Sequence, residues 1–300
     1  MEVRRPWAFK KAIWGSAITL VTLVISLLTL KTLYAVAFFS VITKNMQSSG
    51  WSGGDSNPAV QINETMMFEA SYLFFKIGSV KFQALGKVEY NGIPSYHLRA
   101  HIDSYAGVPF VNFHSVYDTY ADARTLFCLY NLRTQKDGNS LVYTATNFEF
   151  DQKRIECDQS QKGKLIKEVS LPLDSNYTNG VSFIYYLRKA CQIAQGKSAT
   201  LNIPIIDDTV RSTVTLTIDE KKEACDVNAF SFPLDSYRLS GHINFTGTFG
   251  ITGDFVGWMA ADSSAVPLKA NMKVLLGSVV VQLKEIDRNN WIPPRPSKNE

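Results

Sequence analysis

Apolar and polar positions alternate most regularly between Met66 and Asp103. A two-residue period places successive side chains on opposite faces of a strand, so this stretch predicts three antiparallel strands in a sheet with one buried face. Met67–Phe75 would put Phe68, Ala70, Tyr72 and Phe74 on one side. Ser79–Tyr90 would put Val80, Phe82, Ala84, Gly86, Val88 and Tyr90 inward. Ser95–Asp103 would bury Tyr96, Leu98, Ala100 and Ile102 and turn His97, Arg99, His101 and Asp103 to water. Asn91-Gly92 is a strong hairpin signal because both residues tolerate positive φ, and Ile77-Gly78 is a weaker one.

Further strand patterns run over Phe113–Tyr120, Thr125–Thr134, Leu141–Phe150, Lys153–Cys157, Ala199–Ile206, Val210–Asp219, Ser236–Phe245, Phe255–Ala260, Pro267–Lys273 and Ser278–Ile286. Gln159–Lys164 reads as a polar loop. One helix is signalled after a cap at Thr178 or Asn179. Its stripe is Phe183, Ile184, Leu187, Ala190, Cys191 and Ala194, and Gly196 follows. The fold expected is dominated by β-structure: a strongly curved antiparallel sheet or partly open barrel with one covering helix. The similar openings Gly78-Ser79-Val80 and Gly277-Ser278-Val279 suggest that the sheet curls to bring its first and last strands together.

A different pattern occupies the start of the chain. Ala12–Leu30 holds nineteen residues without a charge, long enough for a transmembrane helix. Arg4, Arg5, Lys10 and Lys11 precede it, which places the N-terminus in the cytoplasm and residues 46–300 on the far side of the membrane. A cleaved signal peptide with Ala35-Val36-Ala37 as its processing site is the rival reading. The expected organisation is a basic stub at 1–11, a single-pass membrane anchor at 12–42, a linker at 43–62, an exported β-rich domain at 63–286 and a Pro-rich tail at 287–300.

The formal charge of +4 is a property of that start. Residues 1–45 carry +5 and the remainder −1, so the body lacks the basic footprint of a nucleic-acid binder. Cys128, Cys157, Cys191 and Cys225 are spaced unlike any metal motif, and export permits disulfides; they either pair or remain buried free thiols. His97 and His101 lie about 13 Å apart on a strand, too far to share a metal. No phosphate loop, dinucleotide fingerprint or nucleophile motif is present, and Asp118, Asp122 and Asp207-Asp208 read as turn and strand-end residues. No catalytic residue, cofactor or metal site is therefore expected. Phe110, Phe113, Tyr117 and Tyr120 read either as core or as the lining of an apolar pocket.

Several stretches resemble, in order, a bacterial envelope family of unknown function, DUF3108. They are Asn63-Glu64-Thr65 leading into Phe68–Gly78, then Phe113–Asp122, Ser182–Arg188, and Gly257–Leu283 with Trp258, Asp262, Pro267-Leu268 and Gly277-Ser278-Val279. The likeness covers roughly residues 62–286 and implies a β-rich periplasmic or envelope domain, which would put the anchor in the inner membrane and residues 46–300 in the periplasm, with no catalytic residues attached. The functional expectation is a membrane-anchored protein that is not an enzyme and holds an apolar or lipid-like ligand in a curved sheet. The alternative is an interaction or scaffold domain with a filled core, its protein partner unknown.

Overall fold

The computed structural model describes residues 57–108, 112–194, 196–245, 252–273 and 277–296. The expected anchor at 12–42 lies outside the described residues, and among those no helix is long and apolar enough to cross a membrane. Fourteen strands form one antiparallel sheet. The first eight are β1 (Thr65–Tyr72), β2 (Phe75–Tyr90), β3 (Ile93–Ser104), β4 (His114–Asp122), β5 (Cys128–Asp137), β6 (Ser140–Glu149), β7 (Arg154–Gln161) and β8 (Lys164–Pro172). After helix α1 (Gly180–Ala194) come β9 (Ala199–Asp207), β10 (Val210–Cys225), β11 (Leu234–Ile243), β12 (Gly253–Ala260), β13 (Pro267–Lys273) and β14 (Ser278–Asp287).

The first and last strands do meet, with Thr65 opposite Asp287 and Tyr72 opposite Val279. Their seam lies at the middle of the sheet, whose order is β8-β7-β6-β5-β4-β3-β2-β1-β14-β13-β12-β11-β10-β9. The sheet stays open, with β8 and β9 as edges, but the chain between β8 and α1 links its two halves. Cys128 N donates to Tyr177 O (2.8 Å), Thr178 N to Pro204 O (2.9 Å) and Ile206 N to Thr178 O (2.9 Å). Lys164, Lys167 and Glu168 keep β8 charged and Pro204 lies on β9, both features that discourage edge-to-edge pairing.

Asn179 caps α1 as expected. Its Oδ1 accepts from Ser182 N (2.8 Å) while Asn179 N donates to Ser182 Oγ (3.0 Å). Its Nδ2 donates to Thr119 Oγ1 on β4 (2.9 Å), which ties the start of the helix to the sheet. Val181 and Tyr185 then enter the main core with Met66, Phe68, Tyr96, Leu98 and Tyr117. Leu187, Cys191 and Ala194 pack on Ile203, Leu216, Leu239 and Met259.

Three local expectations change, and the tail is held in place. The first hairpin turns at Leu73-Phe74, with Leu73 at φ +55°, and Gly78 lies inside β2. A Cβ there would sit 2.4 Å from Asp103 O, so the glycine serves a close backbone approach and not a turn. The alternation in β2 breaks at a bulge between Ala84 and Gly86, and Tyr90 joins a separate cluster with Tyr120 on the face opposite Ala84. The stretch 159–164 is the β7–β8 hairpin, turning at Lys162-Gly163. The tail is anchored through residue 296: Trp291 Nε1 donates to Asp262 Oδ2 (2.7 Å), Asp235 N to Pro294 O (2.9 Å), and Arg295 covers the Phe232 ring.

Candidate functional site: an apolar trough beneath the helix

The register places small residues side by side across five strands. Gly78 on β2 pairs with Ala70 on β1, Ala70 with Val281 on β14, Val281 with Ala270 on β13, and Ala270 with Gly257 on β12. At about 4.8 Å between strands this row is roughly 19 Å long. Phe183, Ile184 and Leu187 of α1 lie above it, and the space between is a cavity of about 270 Å³. Phe68, Val80, Phe82, Leu239, Phe255, Met259 and Val279 form much of the remaining wall. Ser79, Asp103, Ser104 and Lys269 are the polar members, apart from the indole of Trp258. Lys269 lies over that indole, 5.9 Å from the ring centroid, and its Nε1 donates to Glu223. Such a space excludes ions and suits a narrow hydrocarbon.

One residue beyond Leu187, the helix carries a fully buried guanidinium. Arg188 Nη1 donates to Glu64 Oε2 (2.8 Å) and Nε to Ser264 O (3.0 Å). Arg288, just after β14, donates from Nη1 to the same Glu64 oxygen (2.8 Å). Burial pulls the Arg288 pKa down, while the Glu64 charge opposes that shift. Glu64 Oε1, Arg188 Nη2 and Tyr185 Oη find no partner among the described residues. The cluster locks α1 to the chain before β1 and after β14, so it fixes the helix over the trough.

On the other face of β3 and β4, His97 Nε2 and Asp118 Oδ1 are 2.5 Å apart, and Arg99 contributes Nε (2.8 Å) and Nη2 (2.7 Å) to the same oxygen. Burial raises the Asp118 pKa, but the His97 and Arg99 hydrogen bonds and the Arg99 charge outweigh it and hold the carboxyl below its usual range. Tyr120 stacks on His97, Tyr90 and Tyr130. A third polar group lies inside the curve of the sheet, where Thr119 Oγ1 donates to Asn131 Oδ1 (2.9 Å) and Arg133 Nη2 to Thr144 Oγ1 (3.3 Å). Burial pushes Asp207 well above the usual carboxylate range, with Arg133 opposing and Asp208 reinforcing the shift.

The aromatic residues singled out from the sequence lie elsewhere. Phe113 and Tyr117 belong to the main core, Tyr120 to the opposite-face stack, and none of the three lines the trough. Phe110 lies outside the described residues. The trough is marked instead by small inward residues, a signal that appears only once the register is known. Cys128, Cys157, Cys191 and Cys225 are all free and buried. Cys128 and Cys157 share a cluster with Phe148, Ile155 and Tyr177. Among the described residues, no group of three or more His, Cys, Asp or Glu is placed to hold a metal ion.

None of the curated proteins matches the chain. The solved structures that it matches include two of low identity. A beta-barrel-like protein of a domain of unknown function, DUF1849, from Brucella abortus aligns with 9% identity over 76% of this chain and 98% of its own, at a TM-score of 0.47. A putative exported protein with a YmcC-like fold from Bacteroides fragilis aligns with 9% identity over 76% and 97%, at a TM-score of 0.29. The sequence model of the family described as "Protein of unknown function (DUF3108)" matches residues 67–284, from within β1 into β14. This protein therefore belongs to the DUF3108 family.

Proposed function

We propose that this is a membrane-anchored envelope protein that holds one hydrocarbon chain, such as the acyl chain of a lipid, in the trough beneath α1. The observation that carries this proposal is the nearly all-apolar cavity between a row of small residues and the helix. Its 270 Å³ lies just below the usual range of about 300–1,000 Å³ for ligand pockets, so a single chain fits better than a whole two-chain lipid. Each methylene buried there would contribute about 0.8 kcal/mol. Holding a chain requires no catalytic group, and we assign none. The anchor is the uncharged run Ala12–Leu30, with the folded part on the periplasmic side. A scaffold domain with a filled core is less favoured because the space beneath α1 is not filled.

The test is photolabelling of the full chain with a diazirine-bearing fatty acid of about twelve carbons, followed by peptide mapping. Labels concentrated on Ile184, Met259 and Val281 are the expected result. Labels confined to the first 45 residues, or scattered over the surface, would overturn the proposal.

A further inference from the structure

The tip of the β1–β2 hairpin points three large apolar side chains into solvent. Leu73 is 60% exposed, Phe74 82% and Phe75 62%. A two-residue turn does not need such residues, and water disfavours them. Tyr72 precedes them and Lys76 follows, its side chain 64% exposed, and between Ser71 and Ile77 Lys76 is the only charged residue. An aromatic and a lysine flanking an apolar tip is the arrangement that settles into a lipid headgroup layer. The tip also adjoins the trough: Ala70 and Gly78 lie only two and three residues inward from the paired Tyr72 and Phe75.

We infer that the Leu73-Phe74-Phe75 tip docks on a phospholipid bilayer and brings the mouth of the trough to the membrane surface. The side chains of Leu73 and Phe74 in the turn and of Phe75 at the start of β2 offer far less than the roughly 800 Å² per partner of a stable protein interface, but enough apolar surface to partition into lipid. Lys76 pairs with Glu69 (2.8 Å), so the tip itself carries no unpaired charge and its attraction to lipid is apolar. Between the expected anchor at 12–42 and Asn57 lie fourteen residues, enough chain to reach up to roughly 50 Å and let the domain turn its tip to a membrane. This inference deepens the proposed function and rests on it for its purpose, though the docking itself can be measured separately.

The four native cysteines are buried, so a single introduced cysteine can be labelled selectively. The full chain carrying Phe74→Cys, or Lys162→Cys at the β7–β8 turn, is labelled with the environment-sensitive dye NBD. Both are reconstituted in phosphatidylcholine vesicles with one third phosphatidylglycerol. Expected at position 74 are a blue-shifted emission and quenching by nitroxide-labelled lipid, with neither at position 162. A dye at 74 as water-exposed as the dye at 162 would overturn the inference. The double variant Phe74→Ser, Phe75→Ser should lower trough photolabelling from vesicle-borne fatty acid by about tenfold. Unchanged labelling would also count against docking. Trough labelling with a solvated tip refutes docking alone, while a buried tip with no trough labelling refutes the ligand proposal alone.

Discussion

Glu64 and Arg188 stand 124 positions apart in the chain and 2.8 Å apart in the fold, both fully withdrawn from solvent. A carboxylate shared by Arg188 and Arg288 replaces hydration with fixed partners, and removing it would leave two guanidiniums facing each other in a dry interior. Glu64→Gln is expected to cost about 3–5 kcal/mol. For a domain of this size that lowers the melting temperature by roughly 10 °C. Arg188→Met should cost less, because Arg288 still pairs with Glu64. Urea unfolding of the two variants checks both the size and the order.

The small residues beneath α1 divide by the space around them. Gly78→Ala would drive a Cβ to 2.4 Å from the Asp103 carbonyl, which cannot swing away, and is expected to destabilise by about 1–3 kcal/mol. Ala270→Leu instead projects into the trough. It should abolish photolabelling there while shifting the unfolding midpoint little. If Ala270→Leu unfolds the protein as Gly78→Ala does, the space is not available to a ligand.

Asp118 should make stability depend on acid. Its pKa is lowered in the fold, so it binds fewer protons folded than unfolded near its titration range. Its stabilising contribution is complete above the ordinary carboxylate pKa of about 3.9 and is lost as pH falls through the lowered native value. Asp118→Asn should therefore be less stable than wild type at neutral pH, by about 1.5–3 kcal/mol for the charge-assisted bonds. The gap should close below about pH 4. Parallel unfolding curves at pH 7 and pH 3 provide the comparison.

The thiols should be silent until the protein unfolds. Burial pushes Cys157 and Cys191 up to about 12 and Cys225 to about 11, and raises Cys128 further still. At neutral pH a disulfide-exchange reagent is expected to titrate none in the native protein and four in denaturant. Two or zero in denaturant without reductant would indicate bridges.

Much of this architecture was legible in the alternation of side chains. β13 falls at Pro267–Lys273 as its pattern predicts, and Asn91-Gly92 turns with φ of +48° and +77°. β8 was not legible, because as an edge strand it has little buried face and Leu165 and Ile166 stay exposed. The bulge at Ala84/Gly86 was hidden because Val88 and Tyr90 are as apolar on one face as on the other. The trough escaped for a related reason. Alternation reports which face a residue takes but not which residues of distant strands lie abreast, and Ala70 meets Ala270 only through Val281. Large inward residues such as Phe68 and Tyr96 drew attention to filled volume, whereas the small ones define the opening.

Placing β1 beside β14 also sets the order of assembly. The arms β1–β8 and β9–β14 can each zip up through neighbouring hairpins as the chain emerges. Their central ladder, Thr65 against Asp287 through Tyr72 against Val279, closes a loop of almost the whole domain and must wait for the last strand. Until then both arms present raw pairing edges at what will become the middle of the sheet. Losing the last nineteen described residues, 278–296, which include all of β14, would thus leave two half-sheets rather than a slightly shortened one, and the halves stay unlocked until that strand has been made.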